Sequence, residues 1–162
     1  MTTGARLHAK NGMREIKRLA KTHGEISVLV GVLAGSGTHP NSTTATIAEV
    51  AFWNEIGAVR TPPRPFLSRT MREQGFYARE FGAALGAYLR GQSSDITLLT
   101  LIGLRASNDV KSMITAIMDP PNAESTRIAK ASKSHVKADE INNPLIDSGA
   151  MRAAINYQVK KR

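Results

Sequence analysis

The chain contains no cysteine, which excludes disulfides, thiolate metal sites and a cysteine nucleophile, and fits assembly in a reducing cytoplasm. Histidine is scarce. His8, His23, His39 and His135 are not spaced from one another, or from an acid, as a metal-binding helix or loop requires. No serine lies in a Gly-x-Ser-x-Gly elbow. Glu49 and Glu55, six residues apart on one expected helix, diverge rather than pair. No enzymatic activity and no cofactor are therefore expected. No run is apolar enough to span a membrane, and Arg6, His8, Lys10 and Arg14 interrupt any signal-peptide character at the start. Aromatic residues are only 5 % of the chain, with one tryptophan, Trp53. A buried core ring is the default for Trp53, and an exposed anchor at a subunit contact is the alternative.

What the chain has is length for one domain, residues 1–162, and a formal charge of +9. Arg6, Lys10, Arg14, Lys17 and Lys21 recur at helical spacing, with Ala9, Met13, Ile16 and Ala20 on another stripe. This predicts a basic amphipathic helix over residues 5–23. Its basic face is either a solvated surface or a contact for DNA phosphates or an acidic partner. A membrane-surface helix fits less well, because the apolar stripe is small and has no aromatic anchors.

The alternation in residues 25–33 places Ile26, Val28, Val30 and Val32 on one face of a strand. Residues 34–44 form a polar, Gly-rich loop, expected to be flexible. No Gly-Lys-Ser/Thr follows it, so it does not read as a phosphate cradle. A helix is expected over residues 45–56, with Ala48, Phe52 and Ile56 as its apolar stripe, Ile47 and Val50 broadening it, and Gly57 as its stop. Steps of four and three through Leu67, Met71, Gln74, Ala78, Phe81, Leu85 and Tyr88 predict one long helix toward Arg90. The same spacing through Ile96, Leu99, Gly103, Ala106, Val110, Met113 and Ile117 predicts a second, with Gly103 and Ala106 allowing close approach. Residues 119–144 are polar, with a short helix over 123–131, and read as an assembly arm. Ala153, Ile155, Tyr157 and Val159 alternate as a half-buried final strand.

Two stretches stand out. In Thr61-Pro62-Pro63-Arg64-Pro65-Phe66-Leu67 the prolines push Thr61, Pro62 and Arg64 out of the α region. The segment should be an extended strut that presents Arg64 from a rigid backbone, with Pro65 in the first turn of the helix that follows. In residues 144–152 (PLIDSGAMR), Asp147 or Ser148 can cap a short helical turn that leads through Arg152 into the last strand.

Together with residues 47–57 (IAEVAFWNEIG), these stretches resemble the tail-completion and neck proteins of long-tailed double-stranded DNA phages. Ser148, Met151 and Pro63 stand where threonine, leucine and a small residue are commoner in that family. The resemblance implies a structural virion protein, assembled in the bacterial host cytoplasm, that forms a ring, expected as a hexamer. The ring would sit at the head-proximal end of the tail or in the neck, against the tail tube protein and head-connector proteins, with DNA in its channel as a further contact. Trp53, Arg64, Phe66, Asp147 and Arg152 would form or support the interface, with Arg64 paired to Asp147 through a bidentate contact. Phe66 would serve from the core. The alternative function is a basic nucleic-acid-binding module using the N-terminal helix and Arg127, Lys130, Lys133 and Lys137. The expected fold class is small α+β, with helices covering an antiparallel or mixed sheet and with long polar loops.

Overall fold

The computed structural model describes residues 26–59, 61–73, 77–89 and 95–161. The expected basic helix over residues 5–23 lies outside them, as do Arg6, Lys10, Arg14, Lys17 and Lys21. The fold is α+β. Strands β1 (Ile26–Val32) and β2 (Ile155–Lys161) pair antiparallel. Helices α1 (Ile47–Ile56), α2 (Phe66–Glu73), α3 (Tyr77–Leu89), α4 (Asp95–Ala116), α5 (Glu124–Ala131) and α6 (Ala150–Ala154) surround this ribbon.

The register opposes Val28 to Val159, Val30 to Tyr157 and Val32 to Ile155. These pairs share one face by the two-residue period of a strand. The opposite face carries Leu29, Asn156 and Gln158, all exposed. The long helix α4 lies across both strands and also meets α2, α3 and α6. Its stripe Leu99, Ala106, Val110 and Ile114 is buried, as is Ile117 just beyond its end. The core joins the last three of these to Ile47, Ala51, Phe66, Leu145, Ile146, Met151 and Ile155.

α1 begins with a capping box. The Thr46 hydroxyl accepts from the Glu49 amide at 3.2 Å, and the Glu49 carboxylate accepts from the Thr46 amide at 2.7 Å. These Thr46 hydrogen bonds, backbone first, hold the Glu49 carboxyl below its usual range. The helix ends at Gly57, whose φ of 86° and amide bond to the Trp53 carbonyl suit glycine. A Cβ there would stand 3.1 Å from Pro63 Cδ, so the strut could not turn back as closely beside the helix end.

The chain then reverses through paired bonds between Ala58 and Thr61, and the Arg64 amide donates to the Asn54 carbonyl at 2.6 Å. Residues 62–65 of the strut form neither helix nor turn, and α2 starts at Phe66, directly after Pro65. Glu55 completes this corner. Its carboxylate accepts from the Leu67 and Ser68 amides, both at 2.9 Å, capping the N-terminus of α2 from another helix.

Of the helix expected over residues 67–90, α2 and α3 are the described parts, and residues 74–76 and 90 lie outside the described set. One expectation changes. The stripe Ala48, Phe52 and Ile56 does not face the core: Ile47 and Ala51 do, and the other three are exposed. Apolar residues run nearly all round α1, so periodicity cannot select its buried side, and small Ala51 lets the helix close on α6. Residues 119–144, expected as an assembly arm, carry α5 and are tied to the body by the hydrogen bonds described next.

Candidate functional site

The residues expected to act together divide into an internal brace and an external face. Arg64 belongs to the brace. It is 6 % exposed, and Nε donates to the Pro120 carbonyl at 2.8 Å and Nη2 to the Pro121 carbonyl at 3.2 Å. Burial pulls its pKa below the ordinary guanidinium value. The prolines present it from a rigid backbone as expected, but its partners are carbonyls, and the expected bidentate pair with Asp147 does not form. Phe66, two residues on, is 2 % exposed in the core, with Leu145, Ile146 and Met151 in the same cluster. Two of the three stretches that carry the resemblance are therefore packed into one another.

Asp147 faces other partners. Its Oδ2 accepts from Lys133 Nζ at 2.7 Å and from Asn41 Nδ2 at 2.5 Å, so it links the 34–44 loop to the segment after α5. Partial burial pushes its carboxyl upward, but the Lys133 ammonium, aided by Lys130 and His135, outweighs this and holds it below the usual range. A carboxyl depressed on folding adds stability above its unfolded pKa, and that stability is lost as pH falls through the folded value. Asp147→Asn should therefore cost about 1 kcal/mol at neutral pH, for a partly exposed pair. The gap from the parent should close as pH falls through and below about 4. Denaturant melts across pH check this, and a pH-independent gap contradicts it. A double-mutant cycle should find coupling between Lys133 and Asp147, and none between Arg64 and Asp147.

Lys130 is 4 % exposed, and Nζ donates to the Asn143 carbonyl at 2.6 Å and to the Ile146 carbonyl. Burial lowers its pKa, with Asp147 opposing. Arg127 is held by Glu124 at 2.7 Å and Asn142 at 2.9 Å. Three of the four cations in the suggested nucleic-acid segment thus have partners within the chain, with Lys137 as the fourth. Ser148 contributes a hydroxyl that accepts from the Ala150 amide at 3.3 Å. Arg152 is exposed in the last turn of α6.

Trp53 is on the external face. It is 42 % exposed and flanked by Phe52 and Ile56, each 57 % exposed, with Val59 fully exposed beyond the helix end. This convex face was legible only as an alternative for Trp53, because the sequence places Phe52 and Ile56 in the expected core. A second apolar surface is a groove of about 390 Å³ between α3 and α4, floored by Ala84 and Leu98 and edged by Leu101 and the Glu80–Arg105 ion pair. Phe81 and Leu104 lie exposed on the same two helices.

Among the described residues, no three histidine, acidic or cysteine side chains cluster as metal ligands, and no helix is long and apolar enough to cross a membrane. Comparison with family models, curated proteins and solved structures finds no match to this chain.

Proposed function

We propose that the chain is a structural virion protein that forms a ring at the head-proximal end of a phage tail or in the neck. It completes the tail and joins it to the head connector, through contacts with the tail tube protein and neck proteins. The observation that carries this reading is the solvent-facing cluster of Phe52, Trp53, Ile56 and Val59. Burying a tryptophan and a phenylalanine together gains more in a subunit contact than exposure costs a monomer, and such residues are enriched at interface centres. The three stretches that resemble tail-completion proteins meet around this cluster. α1 carries it, while Arg64 and Phe66 fix the strut behind it and Asp147 anchors the turn that leads to α6. Trp53 is the contact residue in this reading, Arg64, Phe66 and Asp147 are its support, and Arg152 lies on the exposed surface.

Disrupting the gene in the phage or prophage that encodes it, followed by electron microscopy of the lysate, tests the reading. Separate filled heads and tails are expected, with abnormally long tails assigning a terminator role and normal lengths a completion or neck role. Complementation with Trp53→Ser should restore neither joining nor infectivity, although the variant should melt within about 1 kcal/mol of the parent because the ring is already half exposed. Intact, infectious virions from the disrupted gene would remove the proposal and bring the nucleic-acid-binding alternative forward.

A further inference from the structure

The register of the ribbon sets the start of β1 against the end of β2, with Ile26 opposite Lys161. The segments that precede β1 and end β2 are therefore joined to the same end of the ribbon, and they hold most of the chain's charge. Residues 1–25 carry six basic residues, Arg6, Lys10, Arg14, Lys17, Arg18 and Lys21, against Glu15 and Glu25, and residues 160–162 carry three and no acid. Residues 26–159 carry thirteen basic against eleven acidic residues. Seven of the nine net positive charges thus belong to two short segments at one end of the ribbon.

α4 crosses one face of the ribbon, where Val28 and Tyr157 stand against Gly103. The other face opposes Leu29 to Gln158 and Ser27 to Lys160, and also carries Asn156. Leu29, Asn156, Gln158 and Lys160 are exposed. We propose that this face, with the basic segments at its open end, binds the major groove and flanking phosphates of duplex DNA. Such a contact goes beyond the ring-forming reading and does not depend on it.

The chemistry of the face selects this partner. Leu29 is its single apolar side chain, whereas a protein interface needs an apolar centre and a protein–DNA interface is polar and positively charged. Asn156 Oδ1 accepts from the Tyr157 amide at 2.8 Å, and Nδ2 can donate to a phosphate oxygen or a base edge. Gln158 offers a second carboxamide at the centre of the face and Lys160 an ammonium beside it, the side-chain types that meet phosphates and purine edges. Shape agrees. Two strands about 4.8 Å apart fit the major groove of B-DNA, about 12 Å wide. The major groove of A-form RNA is too narrow to be read this way. Single strands stack on exposed aromatic rings, and the ribbon's one ring, Tyr157, lies on the face against α4.

Fluorescence anisotropy of the full chain with a labelled random-sequence duplex, measured across salt concentrations, tests the surface. Binding should weaken with salt, and the slope of log affinity against log salt should shrink by about 1 in Lys160→Gln, as for one lost phosphate contact. Gln158→Glu sets a carboxylate in the middle of the face and should weaken binding at low salt by roughly tenfold or more. Both positions are exposed, and circular dichroism melts confirm that the variants fold. Arg127 is bonded to Asn142, beside the residue that meets the last turn of α4. A chain with Arg127→Gln and Lys137→Gln should therefore bind within about twofold of the parent, because charges beyond a Debye length are screened. Unchanged binding by both ribbon variants overturns the inference, as does a full chain that fails to bind duplex at low salt. An equal loss in the Arg127 and Lys137 variant reduces the effect to net charge and removes the surface. Displacement by polyglutamate as effective as by unlabelled duplex of equal charge overturns it in favour of an acidic protein partner, and tighter binding of a single strand overturns the choice of duplex. None of these outcomes bears on the ring, which the disrupted gene tests separately.

Discussion

Asn143→Ala is expected to lower the unfolding free energy by about 3–6 kcal/mol, enough to leave much of the chain unfolded at 37 °C for a domain of ordinary stability. Asn143 is 1 % exposed, and every hydrogen-bonding site on its side chain is used. Nδ2 donates to the Ile114 carbonyl at 3.1 Å and the Thr115 carbonyl at 2.9 Å, while Oδ1 accepts from the Leu145 amide at 2.8 Å and the Ile146 amide at 3.1 Å. Ile114 and Thr115 stand in the last turn of α4, where carbonyls have no partner within the helix. The amide thus closes the end of the longest helix and fixes the turn that carries Leu145 and Ile146 into the core. Alanine leaves four backbone groups without partners. At about 1–3 kcal/mol each, reduced where water can enter, the loss exceeds any other single truncation argued for this fold. Asn143→Asp is the sharper variant. It keeps the acceptor and the shape but removes both donated bonds and sets a negative charge at a helix C-terminus, where the dipole opposes it. Urea melts of the two variants should both show large losses, and stability within 1 kcal/mol of the parent for Asn143→Asp would show that the Ile114 and Thr115 bonds carry little.

Nothing in the local sequence shows what Asn143 donates to, because those acceptors are backbone carbonyls 28 and 29 residues earlier in the chain. The same reason hides the partners of Arg64. Prolines announce a rigid strut, but the acceptors are carbonyls of Pro120 and Pro121, which carry no charge to read, and the reading that pairs a cation with a carboxylate selects Asp147 instead. What was legible had a one-sided pattern. β1 sets a β-branched residue at every second position, and α4 shows a single stripe through Leu99, Ala106 and Val110, so element type, and for α4 the buried face, follow from period. α1 has no such asymmetry, so its pattern assigns Phe52 and Ile56 to the core although both are exposed. The resemblance drew attention to Trp53, but which of its neighbours joins it at the surface came only from the packing of Ile47 and Ala51.

Gly103→Val is the other substitution with a large expected effect, about 3 kcal/mol of lost stability, with Gly103→Ala costing about 1–2. Gly103 is buried where α4 crosses the ribbon, and the close approach expected from small residues on its stripe is an approach to the sheet. A Cβ on Gly103 would lie 2.5 Å from Tyr157 Cδ2, 2.8 Å from Tyr157 Cγ and 3.0 Å from Val28 Cγ1. The Tyr157 atoms are at the base of the ring, so the side chain cannot avoid the clash by moving only its tip. Either the ring leaves its rotamer or the helix lifts from β2. Opposing this is the gain of about 1 kcal/mol when alanine replaces glycine within a helix. Steric overlap of about 1–3 kcal/mol wins because Tyr157 is held opposite Val30 by strand pairing. The ring supplies its own control. Tyr157→Ala removes both colliding atoms, Cγ and Cδ2. With Ala at position 157, Gly103→Ala should become neutral or mildly stabilising, as helix propensity alone would have it, so that the cycle shows about 1–2 kcal/mol of coupling. An equal cost of Gly103→Ala in both backgrounds would place the strain elsewhere, with Val28 as the remaining contact to test.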